Sequence, residues 1–175
     1  MSTYKIDPVH SEIMFKVKHM MITNTTGQFK KFDASLESAA ENFSDAVISF
    51  EADTNSIDTG NEQRDGHLKG DEFFNAEQFP KISFLSTNFI KINDESYKLK
   101  GNLTIRDITK EIELDVTYGG TATDFYGQIK SGFEITGKIS RKEFGLLWNG
   151  ITEAGNIVLA DEIKLNLAVQ MVKQA

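Results

Sequence analysis

An alternation of apolar and polar residues with a period of two runs through most of this chain, and no other feature restricts its fold as much. In "EIMFKVKHM", Ile13, Phe15, Val17 and His19 share one face of an extended backbone, with Met14, Lys16, Lys18 and Met20 on the other. "AVISFEADTNSI" aligns Ile48, Phe50 and Ala52. "KISFLSTNFIKI" aligns Ile82, Phe84 and Ser86, and "YKLKGNLTIRD" aligns Tyr97, Leu99, Gly101, Leu103 and Ile105. Three more stretches follow the rule: Ile112, Leu114, Val116 and Tyr118; then Phe133, Ile135, Gly137 and Ile139; then Ile163, Leu165, Leu167, Val169 and Met171. In "TTGQFKKFDASLE" the phase slips, because Gly27 and Phe29 have one parity and Phe32, Ala34 and Leu36 the other. A bulge near Lys30 and Lys31 keeps both apolar sets inward and bends the strand.

These are eight candidate strands, most of them joined by short polar turns such as "NDES" and "RDITK". Long strands with one wet face suit an antiparallel sheet, and closing eight of them into a barrel removes the exposed edges. The expectation is an all-β, eight-stranded antiparallel β-barrel, one domain over residues 1–175, with a short helical insert at about 60–75. The insert is "NSIDTGNEQRDGHLKGDEFFNAEQFP", in which Asp58 and Thr59 stand as a capping pair before helix-compatible residues. Residues 141–149, "RKEFGLLWN", read as a short turn or helix that carries the single Trp.

Composition narrows the function. A net charge of -7 without a run of Lys and Arg argues against nucleic acid. With no Cys, neither disulfides nor thiolate metal sites are available. No window approaches 18 consecutive apolar residues, the length that would suggest a spanning helix. The N-terminus lacks a basic and apolar leader, so the expected compartment is the cytoplasm, or the periplasm if a leader has been removed. Thirteen Phe point to a large apolar interior.

The motifs in order resemble the YceI-like family of polyisoprenoid-binding proteins. "YKIDPVHSEIMFKVKH" is similar to the family's opening segment, and "GQFKKFDASL" to its Gly-x-Phe-x-x-Phe strand. "SIDTGNEQRDGHLKGDEFFNAEQFPKISF" is the most specific match. "GNLTIRDITKEIEL", "RKEFGLLWN" and "ADEIKLNL" complete the series, with Ala160 where the family usually has Gly. The resemblance spans Tyr4 to Val172. It implies a lipocalin-like barrel that binds, stores or carries an isoprenoid lipid, a polyprenyl or quinone-type amphiphile, without catalysis. It is also compatible with a homodimer and with lipid transport, and no cofactor beyond the bound lipid is expected.

The inward positions are then the expected ligand contacts: Phe15, Val17 and His19 on the first strand, and Phe29 on the second. Phe50, Phe84, Leu103, Phe133 and Ile135 follow on later strands, Leu68, Phe73 and Phe74 on the insert, and Trp148 near its only companion turn. Two readings stay open. Inward aromatics can fill the barrel completely, leaving a stress-response or interaction module with a packed core, or small inward residues (Ala34, Ala52, Gly101, Gly137) can leave a cavity. The insert is likewise either a plug or a lid touching the cargo. Arg64, His67, Arg141 and Asn149 are candidates for contacts to a head group, and Arg64 for pairing with Asp65 or a more distant carboxylate. His10, His19 and His67 lack metal-ligand spacing and read as structural, His10 bonded to a turn and His67 to the lid. Asp7, His10 and Ser11 carry the residue types of a hydrolytic triad on one extended segment, where neighbouring side chains point apart.

Overall fold

A computed structural model of the chain describes residues 1–148 and 159–175. Strand β1 (Ser2–Ile6) and strand β2 (Glu12–His19) are separated by a single 3-10 turn at Pro8–His10. Strands β3 (Thr23–Phe29) and β4 (Phe32–Ser38) are one strand broken at Lys30 and Lys31. β5 (Val47–Asp53) and the two-residue β6 (Ile57–Asp58) form a third interrupted pair. After a helical insert come β7 (Lys81–Lys91), β8 (Ser96–Ile105), β9 (Ile108–Thr123), β10 (Ile129–Ser140) and β11 (Leu159–Lys173).

Every pairing is antiparallel, and β11 closes the ring on both halves of the first strand. Its C-terminal end pairs with β1, Tyr4 opposite Lys173, and its N-terminal end with β2, Leu165 opposite Phe15. Counted as continuous runs of chain, the described residues form an eight-stranded, closed up-and-down barrel. The expected inward sets are the observed ones, except on β7. Ile13, Phe15 and Val17 face inward with Ile163, Leu165 and Leu167 as their direct neighbours on β11.

The break at Lys30 and Lys31 makes the phase change that the sequence requires. It is more than a bulge: Lys30 N–H bonds Ser56 O and Lys31 O accepts from Asp53 N, so both neighbouring strands bend together. The first strand also starts earlier than its alternation suggests, at Ser2. Pro8 has no N–H to give a ladder, so the strand stops there and resumes at Glu12. On β7 the register slips between Ser86 and Asn88, which turns Phe89 inward. Period-two counting ends that inward set at Ser86, whose hydroxyl instead accepts from Ile48 N at 2.8 Å.

The helix α1 (Glu62–Leu68) is shorter than the expected 60–75, and 69–79 is a chain of turns. Its N-cap is Asn61, whose side chain accepts from Arg64 N at 3.0 Å, not the Asp58–Thr59 pair. Asp58 is taken by the preceding turn, where it accepts from Gly60 N, and by an ion pair with Lys30. "RKEFG" folds as a 3-10 turn, Lys142–Phe144, ended by Gly145 at φ +79°.

Candidate functional site

The barrel holds a cavity of about 710 Å³, within the size range of roughly 300–1,000 Å³ typical of small-molecule sites. Its wall is built by the period-two alternation itself. Every strand except the two-residue β6 sends side chains inward to it, and these are almost all aliphatic or Phe. All thirteen expected contact positions line it: Phe15, Val17 and His19; Phe29; Phe50; Leu68, Phe73 and Phe74; Phe84; Leu103; Phe133 and Ile135; Trp148. Phe89, Leu99, Leu114 and Leu146 line it as well.

The glycines do not open this space in the way the sequence suggests. A Cβ on Gly101 would collide with the ring of Phe84, and one on Gly137 with Leu114. Both glycines therefore receive a neighbour's side chain that leans across the wall, and the void lies above those leaning groups. Ala34 and Ala52 do line it.

One end of the barrel is stopped. The loop 39–46 inserts Phe43, 3% exposed, among Tyr4, Tyr118 and Phe133 at ring distances of 5.4, 5.7 and 5.4 Å. Phe43 sits at φ +59°, an uncomfortable conformation for a bulky side chain. Asp45 holds the loop there. Its carboxylate accepts from Ser38 Oγ at 2.5 Å, Ala39 N at 2.9 Å and Ala40 N at 3.1 Å. Those bonds, the Ser38 hydroxyl first, hold its carboxyl at about 2, well below the ordinary carboxylate value. Tyr97 Oη ties the same loop by donating to Asn42 O at 2.6 Å.

The other end is covered by α1 and the turns after it. Thr59 is the hinge clamp: Arg64 Nε donates to its hydroxyl and Nη2 to its carbonyl, both at 2.7 Å, while its hydroxyl donates to Asp65. Arg64 thus bonds Thr59, not Asp65 or a distant carboxylate. His67 Nε2 meets Glu72 at 2.6 Å, and its ring stands edge-on to Phe73 and Trp148, each at 5.1 Å. Phe74 reaches across to Phe29 at 5.9 Å. Plug and lid are accordingly one object, because the residues that close this end also line the cavity.

Two arginines fix this end to the barrel. Arg141, 1% exposed, donates to the carbonyls of Leu146, Trp148, Leu159 and Ala160 at 2.6–3.0 Å. Burial lowers the pKa of its guanidinium, opposed by the nearby Asp161 carboxylate. Its fork therefore staples β10, the following turn and β11, and is committed to protein carbonyls. Arg106, which the sequence reading did not single out, lies in the β8–β9 turn at φ +58°. It donates to the carbonyls of Asp71 and Phe73 and lies 5.7 Å over the ring of Phe79. A lone Arg in a hairpin turn gives no hint of a partner some thirty residues away.

Polar groups enter the cavity wall only at this covered end: His19, Thr25, Thr59, Asn61, Gln63, Arg64, His67 and Arg141. No carboxylate lines it among the described residues, and Asn149 lies outside them. The remaining candidates for chemistry fall elsewhere. Asp7 and His10 do pair at 2.9 Å, but Ser11 Oγ accepts from Gln170 N and takes no part. Among the described residues no three His, Asp or Glu side chains are arranged to hold a metal. No described helix is long and apolar enough to cross a membrane.

Comparison with known proteins agrees with this architecture. The family described as "YceI-like domain" matches residues 4–171. A UPF0312 protein of Staphylococcus epidermidis is 33% identical over 171 residues, 97% of either chain. Among solved structures, BcnA of Burkholderia cenocepacia superposes with a TM-score of 0.82 at 21% identity, over 94% of this chain and 98% of that one. A polyisoprenoid binding domain from Saccharophagus degradans superposes with a TM-score of 0.72 at 14% identity, over 98% of each. The chain belongs to the YceI-like family.

Proposed function

From that membership, we propose that the chain binds an isoprenoid lipid, its tail in the barrel cavity and its head at the lid, and acts as a carrier or reservoir for it. The observation that carries this reading is an almost wholly apolar cavity of about 710 Å³ inside the barrel, whose polar groups gather at one end. Such a space favours a hydrocarbon tail by roughly 0.8 kcal/mol for each methylene removed from water. It supports the reading further that a domain of the same fold is described as polyisoprenoid binding.

The head group is expected to be uncharged, as in a quinone or a polyprenyl alcohol. Arg141 spends its donors on four backbone carbonyls, and Arg64 is bonded to Thr59 through Nε and Nη2. Asn61, Gln63, Thr25 and His19 remain for neutral hydrogen bonding. A module with a filled core would need inward side chains that meet across the barrel, and the cavity speaks against it.

Native mass spectrometry of freshly purified protein, with solvent extraction of whatever is released, tests this. A mass excess that extracts as a polyprenyl compound, or uptake of added isoprenoid quinone at one per chain, is the expected result. A bare polypeptide mass that stays unchanged after incubation with quinones and polyprenyl alcohols would sink the proposal.

A further inference from the structure

The covered end of the barrel carries an apolar tip that the fold does not need. The turn between β2 and β3 is His19–Met20–Met21–Ile22, closed by Ile22 N–H to His19 O at 3.2 Å. Met20 and Met21 have φ of +54° and +60°, the left-handed backbone that a type I′ turn requires and that Asn-Gly fills without strain. Methionine has no conformational reason to be there. The side chains also stand substantially in solvent: Met20, Met21 and Ile22 are 42%, 58% and 78% exposed. Leu147, 64% exposed, belongs to the same end, because Arg141 ties the neighbouring Trp148 and Leu146 to Leu159, the residue paired with His19.

A second, independent observation lies on the adjoining outer face. Lys16 on β2 stands directly opposite Lys164 on β11, and Lys164 directly opposite Lys138 on β10. Lys18 continues the row toward the tip. All four are exposed. Like charges facing each other across strands work against the sheet, and this chain carries a net charge of -7. The one carboxylate among them on these strands is Glu162, which meets Lys138 at 3.7 Å. Elsewhere on the barrel the lysines are interleaved with acids, as at Lys98 with Asp115 and Glu113. Two local costs, strain with exposed apolar side chains and facing positive charges, thus meet at one corner, two residues apart along β2.

We propose that this corner docks on the surface of an anionic lipid bilayer, with Met20, Met21, Ile22 and Leu147 in the acyl boundary and the Lys16–Lys164–Lys138 row with Lys18 against the head groups. The combination of a small apolar insertion with a cluster of lysines is what gives peripheral proteins reversible binding to anionic membranes. The charges suit it: a lysine row is repelled by a cationic surface and drawn to phosphates. Docking here sets the lid against the bilayer, so that cargo need not cross water. That last step rests on the isoprenoid reading above, whereas the docking itself rests on the tip and the lysines alone.

Flotation with vesicles of phosphatidylcholine, and of phosphatidylcholine and phosphatidylglycerol in equal parts, separates the cases. The protein is expected to float with the mixed vesicles at low salt, and to lose about fivefold in partitioning for each of Lys16, Lys18 and Lys164 changed to Gln. The double variant Met20→Asn, Met21→Gly removes the apolar tip while giving the turn its preferred residues, so it should stay folded and melt no lower, yet float poorly. Uptake of a quinone added from ethanol, followed by native mass, is read on the same samples. Flotation of the double variant equal to that of the original protein, or no flotation with mixed vesicles, would overturn the docking proposal even if quinone is taken up. Flotation without quinone uptake would leave docking standing and sink the carrier reading instead.

Discussion

At the scale of single residues, the molecule keeps its polar side chains occupied with its own backbone. Arg141 is the extreme case, a guanidinium at 1% exposure that serves four carbonyls, two on β11 and two in the turn before it. Arg141→Met keeps much of the apolar stem and strands the carbonyls. The expected loss is about 3 kcal/mol of unfolding free energy, since a buried acceptor left without a partner costs about 1–3 kcal/mol. Urea unfolding at neutral pH measures it, and a change under about 1 kcal/mol would mean the carbonyls find other donors. From the sequence, Arg141 is a candidate for head-group contact. What removes it from that role is the arrival of Leu159 and Ala160, eighteen and nineteen positions further on, which no local pattern reveals.

At the scale of elements, two loops of the barrel depend on ionised carboxylates. Asp45 fixes the plug loop, and Asp7 stands at the start of the 3-10 turn with Lys130 at 2.8 Å and His10 at 2.9 Å. The Lys130 hydrogen bond is the largest cause that brings Asp7 to about 2. Asp45 is likewise at about 2, against an ordinary 3.8 for both. A carboxyl lowered in the folded state stabilises it above the unfolded value and loses that contribution as pH falls. Stability is therefore expected to decline between pH 3.8 and about 2, with a flatter decline in the Asp45→Asn and Asp7→Asn variants. Thermal melts across that range check the sign, and equal slopes in all three proteins would show the loops are held by something else. The insert illustrates how far elements are legible. A helix after an Asx residue was readable, but Asn61 rather than Asp58 became the cap, because Lys30 and Gly60 compete for Asp58.

At the scale of the whole molecule, cavity and fold are one design, and a change that fills the first should spare the second. Ile135 lines the cavity between Val116 and Leu167 on its neighbouring strands. Ile135→Trp extends into empty space, so it should fold and melt close to the original while losing isoprenoid uptake. In the unaltered protein, ligand at a hundred times its dissociation constant stabilises by about 2.7 kcal/mol, roughly 5–10 °C in a chain of this length. The same scan on the variant should show no shift, and an undiminished shift would place the ligand outside the barrel.

The sequence by itself determined the eight strands and, except past the register slip on β7, which side chains face inward, because a pleated strand has only two faces and burial selects one. It also determined where the phase had to change, at Lys30 and Lys31. Only the tertiary structure decided that the interior is hollow. Whether inward side chains meet depends on which neighbour leans over which gap: Phe84 over Gly101, Leu114 over Gly137, Phe43 wedged in from a distant loop. Those are relations between strands, set by register and closure. The alternation along any one strand reads the same whether the barrel is filled or open.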